Sequence, residues 1–165
     1  MAFTDALLPE FDHEMGTTRK LLERLPDQHL GWKPHERSMS LARLATHIAE
    51  IPQWGERVLT QNEVNLTGPY QPREERSKAA ILALFDGAAA QARRTLASKS
   101  DGELMAPWTL KRDGKTLFTM PKMAMIRSML LSHLIHHRGQ LSVYLRMNNV
   151  PLPAMYGPSA DEGNV

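Results

Sequence analysis

The run Ile126-Arg127-Ser128-Met129-Leu130-Leu131-Ser132-His133-Leu134-Ile135-His136-His137-Arg138-Gly139-Gln140-Leu141-Ser142-Val143-Tyr144-Leu145-Arg146 decides how the chain is read. Wound at about 100° per residue, Met123, Ile126, Met129, Leu130, Leu134, Leu141, Val143, Tyr144 and Leu145 cover one broad arc. That is the apolar face of a helix running from just after Pro121 to about Asn148. His133 and His137 fall near the middle of the arc. Residues at i and i+4 stack one turn apart, with Cβ atoms roughly 5–6 Å from each other. Two imidazoles so placed can converge on one ion at about 2.0–2.1 Å each. Removed from water together, they need a metal or other polar partners, or their nitrogens lose solvation without compensation.

Three further segments carry helical periodicity. Phe3, Leu7, Phe11, Met15, Thr18, Leu22 and Leu25 step by three or four residues up to Pro26, with Pro9 marking where the regular helix begins. Asp27 to Met39 reads as an ordered loop around Trp32, and Ser38 or Ser40 can cap the second helix. Its stripe is Leu41, Leu44, Ile48, Ile51 and Val58. His47 lies inside that arc, and Pro52 should kink the helix beside it. Residues 61–73 form a long connection, too long for a tight helical hairpin. The third helix spans about Glu74 to Ala97, with Ile81, Leu84, Phe85, Ala88, Ala92 and Leu96 inward. Asp113-Gly114 between two β-prone runs predicts a short hairpin before the last helix. The tail from Pro151 to Val165 should lie extended. The fold class is all-α, in one domain over 1–165.

Composition narrows the function. Apolar residues make up 42% and charged residues 23% of the 165 residues, an ordinary globular mixture. Lys and Arg exceed Asp and Glu by only 2, with signs mixed along the chain, so no nucleic-acid interface is expected. There is no cysteine, so neither disulfides nor a protein thiol can serve the fold or the chemistry, and thiol chemistry would need a thiol from outside. No apolar run is long enough for a membrane span, and the start of the chain lacks signal-peptide features. A soluble, cytoplasmic protein without membrane partners is expected.

His47, His133 and His137 are therefore candidate metal ligands, and three neutral histidines with an open fourth position suit a catalytic rather than a structural site. Alternatives stand beside this. His47 alone fits a satisfied core histidine, and His133 with His137 fits a hydrogen-bonded core pair equally well. His136, toward the side of the arc, fits an outer partner or a surface residue; His13, His29 and His35 fit solvated positions. Glu50 fits an outer partner, a base or plain helix surface. Trp32, Trp54 and Tyr156 fit pocket walls or core packing. The HExxH pattern, the paired Glu-x-x-His of di-iron bundles, GxSxG and phosphate loops are all absent.

Three separated segments carry a family resemblance. They are Ser38-Met-Ser-Leu-Ala-Arg-Leu-Ala-Thr-His47-Ile-Ala-Glu50-Ile-Pro52-Gln-Trp54, then His133 to Arg146, then Val150-Pro-Leu-Pro-Ala-Met-Tyr156-Gly-Pro-Ser-Ala-Asp161-Glu. In this order they resemble the DinB family, including its YfiT-like members. The resemblance implies a four-helix bundle with a long crossover, a homodimer, and a divalent ion such as Ni or Zn on His47, His133 and His137. It further implies a metal-dependent enzyme acting on an electrophilic small molecule. Such an enzyme would be an S-transferase using a low-molecular-weight thiol (bacillithiol, mycothiol or glutathione in relatives) or a hydrolase. The alternative is a non-catalytic metal or small-molecule binder of the stress response. Asn148-Asn149 stands where the family pattern has glycine.

Overall fold

The computed structural model describes residues 2–163, and the chain is mostly helical with a small three-stranded sheet. Helix α1 spans Phe3–Leu22, burying Leu7, Phe11, Met15, Thr18 and Leu22 at steps of three and four. It begins before Pro9 rather than at it. The proline removes one N–H partner from the Asp5 carbonyl, and Asp5 and Pro9 are both exposed, so water can take its place. Helix α2 spans Leu41–Thr60 and is capped by Ser40, whose Oγ accepts the Arg43 N–H at 3.0 Å. It runs unbroken through Pro52.

The long connection after α2 is not all loop. Strand β1, Glu63–Leu66, pairs in parallel with β2, Pro107–Arg112, which pairs antiparallel with β3, Lys115–Pro121. The expected hairpin turn is present: Asp113 and Gly114 both take positive φ, 48° and 80°, as a two-residue turn of this hand requires. The Asp113 N–H donates to the Leu66 carbonyl at 2.9 Å and the Gly114 N–H to Asn65 Oδ1 at 3.0 Å, which ties β1 to the hairpin. Helix α3 spans Lys78–Ala97, starting four residues later than the periodicity predicts. Ser77 caps it, and Glu75 is held outside it by an N–H bond to Thr46 Oγ1 at 2.9 Å.

A short helix α4, Asp101–Met105, leads into the hairpin. The last helical run has three parts: α5, Lys122–Met125; a π-helical stretch, Ile126–Ser132; and α6, His133–Met147. Helix α1 packs on α3 and α6, while α2 packs on α3, α6 and the π stretch. The approach of α2 to that stretch depends on Gly55. A Cβ there would lie 2.1 Å from Leu130 Cδ1, and Leu130 is buried, so no larger residue fits without moving it.

The tail is not extended over its described part. It has no regular element, but Ser159 Oγ donates to the Leu152 carbonyl and Asp161 accepts the Leu152 N–H, which folds it back on itself. Asn164 and Val165 lie outside the described residues. Among the described residues no helix is long and apolar enough to cross a membrane.

Candidate metal centre

The close packing of α2 on the last helical run brings three rings together. His47 Nε2 lies 3.3 Å from His133 Nε2, which lies 2.9 Å from His137 Nε2. One nitrogen from each of the three rings lies within 4.8 Å of the others, and among the described residues this is the one group of its kind. Around an ion with bonds of about 2.05 Å, two ligand nitrogens sit roughly 3.3 Å apart at a tetrahedral angle and roughly 2.9 Å apart at a right angle. The His47–His133 and His133–His137 separations match two edges of such a polyhedron.

Hydrogen bonds on the far sides of the rings decide what these nitrogens present. His137 Nδ1 donates to Gln140 Oε1 at 2.7 Å, leaving Nε2 with its lone pair. The Gln140 amide nitrogen in turn donates to His136 Nε2 at 3.1 Å. His136 thus stands one step outside the triad rather than in it. In the π stretch the His133 N–H reaches the Ser128 carbonyl, five residues back. The His133 Nε2 has two ring nitrogens within hydrogen-bond distance, at 3.3 and 2.9 Å, and a single proton or a single lone pair with which to meet them. It can satisfy one of them, so one close N···N contact is left without a proton unless a cation lies among the rings. The residues present therefore fit a divalent metal ion.

Electrostatics agree. Burial, then the neighbouring histidines and Arg43, push the His47 imidazole down to about 4. Burial also lowers His133 and His137, against the Met129 and Gln140 hydrogen bonds that favour their charged forms. Neutral rings are the form a metal requires. These shifts predict a pH dependence for the metal-free protein. An unfolded histidine takes up its proton near 6.5, whereas folded His47 stays neutral until about 4. Between those values the unfolded state binds more protons, so stability falls as pH falls from about 6.5 toward 4 and is flat above. Melting temperatures of metal-free protein across this range, compared with His47→Leu, check it; the variant should show a shallower decline.

A cavity of about 440 Å³ opens on the His47 side, lined among others by Glu50, Trp54, Arg57, Tyr70 and Arg112. Its wall includes Leu66 to Gln71, the connection that sequence periodicity leaves without a role. Of the candidate pocket walls, Trp54 lines it. Trp32 instead meets the Tyr144 ring edge-on, and the Tyr156 hydroxyl bonds Glu14. Glu50 is ion-paired to Arg43 at 3.3 Å, and Arg43 also donates to the Tyr70 hydroxyl. His13, His29 and His35 take no part in the triad. Gln140 is the partner that sequence reasoning missed; its i+3 spacing from His137 is the signal that could have found it.

Comparison with known proteins places this architecture. Residues 1–164 match the family model of the DinB family. The chain is 26% identical to YrdA of Bacillus subtilis (strain 168) over 164 residues, covering 96% of this chain and 90% of the relative. It is also 26% identical to YjoA of the same organism, covering 93% and 96%. Among solved structures, a DinB-like protein from Bacillus cereus ATCC 10987 superposes with a TM-score of 0.72 at 20% identity, covering 94% of this chain and 98% of the other. The DinB-like YjoA structure gives 0.70 at 23% identity, with 90% and 95% covered. At such identities the two structures speak to the fold alone.

Proposed function

The chain belongs to the DinB family, and from that membership we propose that it is a divalent-metal-dependent enzyme acting on an electrophilic small molecule. His47, His133 and His137 would hold the ion, Ni or Zn. The observation that supports this is the meeting of three ring nitrogens, with His133 Nε2 lying 3.3 Å from His47 Nε2 and 2.9 Å from His137 Nε2. When bound, such an ion lowers the pKa of a water or an external low-molecular-weight thiol at an open position, which makes a nucleophile available near neutral pH. Without a cysteine, the chain cannot supply that sulfur itself. Attack by the thiol would form a bond from sulfur to the electrophilic centre as the leaving group departs with its bonding pair, giving S-transfer; the same displacement by water would give hydrolysis, the nucleophile's proton being lost in either case. Glu50 lines the same cavity one turn beyond His47, and we read its carboxylate as the base that would take the nucleophile's proton. Arg43 holds that carboxylate in place. The helices are taken as a four-helix bundle with a long crossover between α2 and α3, a reading supported by the pairings of α1 and α2 each with α3 and α6.

The test is a panel of thiols and electrophiles presented to the zinc- or nickel-loaded protein. Saturable turnover that disappears on chelation and in His137→Ala is the expected result. Tight binding without turnover across the panel would overturn the enzyme in favour of a binding protein.

Gln140 offers a finer check of the ion's support. Gln140→Leu removes the acceptor that fixes the His137 tautomer, and the expected cost is roughly 10–100-fold in zinc affinity. Competition with a chromogenic chelator measures it, and unchanged affinity would mean that Gln140 does not orient the ring.

A further inference from the structure

We propose that the cavity beside His47 takes a small molecule bearing a carboxylate or phosphate group, held at Arg57 and Arg112 while its reactive end faces the histidine triad. This deepens the function proposed above and rests on it for the position of the reactive end.

Two independent features meet at this cavity. The first is charge. Arg57 and Arg112 both line it, and neither forms an ion pair with a carboxylate among the described residues. The acidic residue in the wall, Glu50, is already taken by Arg43. The cavity is therefore left with two guanidinium charges and no free carboxylate to answer them. A cation on the triad would add to that imbalance, and an anionic ligand would relieve it.

The second feature is placement. His47, Glu50, Trp54 and Arg57 follow one another at steps of three and four, so they form a single stripe along α2 that leads from the triad to the guanidinium. The stripe is about 15 Å long at about 1.5 Å per residue. Arg57 lies over the Trp54 ring, 5.3 Å from its centroid. The Arg57 N–H groups make no hydrogen bond to another side chain among the described residues, and a guanidinium can offer two parallel bonds to an oxyanion. Arg112 comes from the end of β2 and Arg57 from α2, so the two charges reach the cavity from different elements. An extended molecule with its oxyanion at one end and its reactive group at the other fits this layout.

Isothermal titration calorimetry on the full chain, zinc-loaded and metal-free, tests it with 6-mercaptohexanoate and 6-mercapto-1-hexanol, which match in length and differ in charge. The zinc-loaded protein is expected to bind the carboxylate at least about tenfold more tightly than the alcohol. The preference should vanish in Arg57→Gln/Arg112→Gln and survive in Arg127→Gln, whose arginine pairs with Glu10 outside the cavity. Competition on the metal-free protein distinguishes the two oxyanions, with acetate displacing the probe if the site prefers carboxylate and inorganic phosphate if it prefers phosphate. Equal affinity for the two thiols, a preference untouched in the double variant, or no binding of either probe to either form would overturn the proposal. The two failures separate cleanly. A chain that takes up no zinc but keeps an arginine-dependent preference sinks the metal centre alone, whereas a zinc-loaded chain indifferent to charge sinks only the anion site.

Discussion

His137→Ala is expected to abolish high-affinity zinc or nickel binding while leaving the helices intact. Loss of Gln140, one bond removed from the ion, should cost roughly 10–100-fold, and loss of a ligand should cost more. With zinc at 100 times its Kd, a single site stabilises the folded chain by about 2.7 kcal/mol, a rise of roughly 5–10 °C in Tm for a domain of this size. The wild-type chain should show that rise and His137→Ala should not. In the absence of metal the two chains should differ little. The substitution removes one of three crowded ring nitrogens, 2.9 Å from its neighbour, which offsets part of the packing lost with a ring that is only 9% exposed. The metal-free variant should therefore melt close to the metal-free wild type. Metal analysis after dialysis against chelator, with circular dichroism for the fold, measures both halves. Equal zinc content, or an equal rise in Tm with zinc, would show that the triad is a core cluster and not a metal centre.

How much of this was legible beforehand follows the range of each interaction. His133 and His137 could be paired from spacing alone, because i and i+4 on a helix are neighbours whatever surrounds it. Asp113-Gly114 named its own turn, since both residues tolerate the positive φ the turn requires. The position of His47 opposite them was an inference from a shared apolar arc and from family likeness, and it depends on a contact no local rule contains: Gly55 against Leu130. The π stretch was invisible for a related reason. Its residues, Ile126 to Ser132, have the composition of an ordinary helix, and only packing selects the wider turn that aims the His133 N–H at Ser128. Strand β1 hid in the long connection because Asn62 and Asn65 are poor strand formers. Its register is set by β2, more than forty residues away.

The least legible feature predicts the largest change in stability. Arg138, next to His137 in sequence, is 2% exposed and pairs with Glu14 of α1 at 2.7 Å. It also donates to the Glu14 carbonyl at 3.2 Å, to Thr18 Oγ1 at 3.1 Å and to the Tyr156 hydroxyl. The Tyr156 hydroxyl closes the network by donating to the Glu14 carboxylate, and Arg138 lies 4.9 Å over the Tyr156 ring. One guanidinium thereby joins α1, α6 and the tail. Arg138→Met would leave the Glu14 carboxylate buried with a single hydroxyl as partner, and stranding one member of a buried pair costs about 3–5 kcal/mol. For a domain of this length that is a fall of roughly 10 °C in Tm. Adding Glu14→Met removes the stranded charge, so the double variant is expected to be more stable than Arg138→Met alone, a coupling that a double-mutant cycle by urea unfolding of metal-free protein would read. Arg138 points away from the triad toward α1, so Arg138→Met should still take up zinc as the wild type does wherever it remains folded. A cycle with no coupling would mean that the pair contributes by packing alone, and a loss of zinc in the folded variant would mean that Arg138 also sets the place of His137.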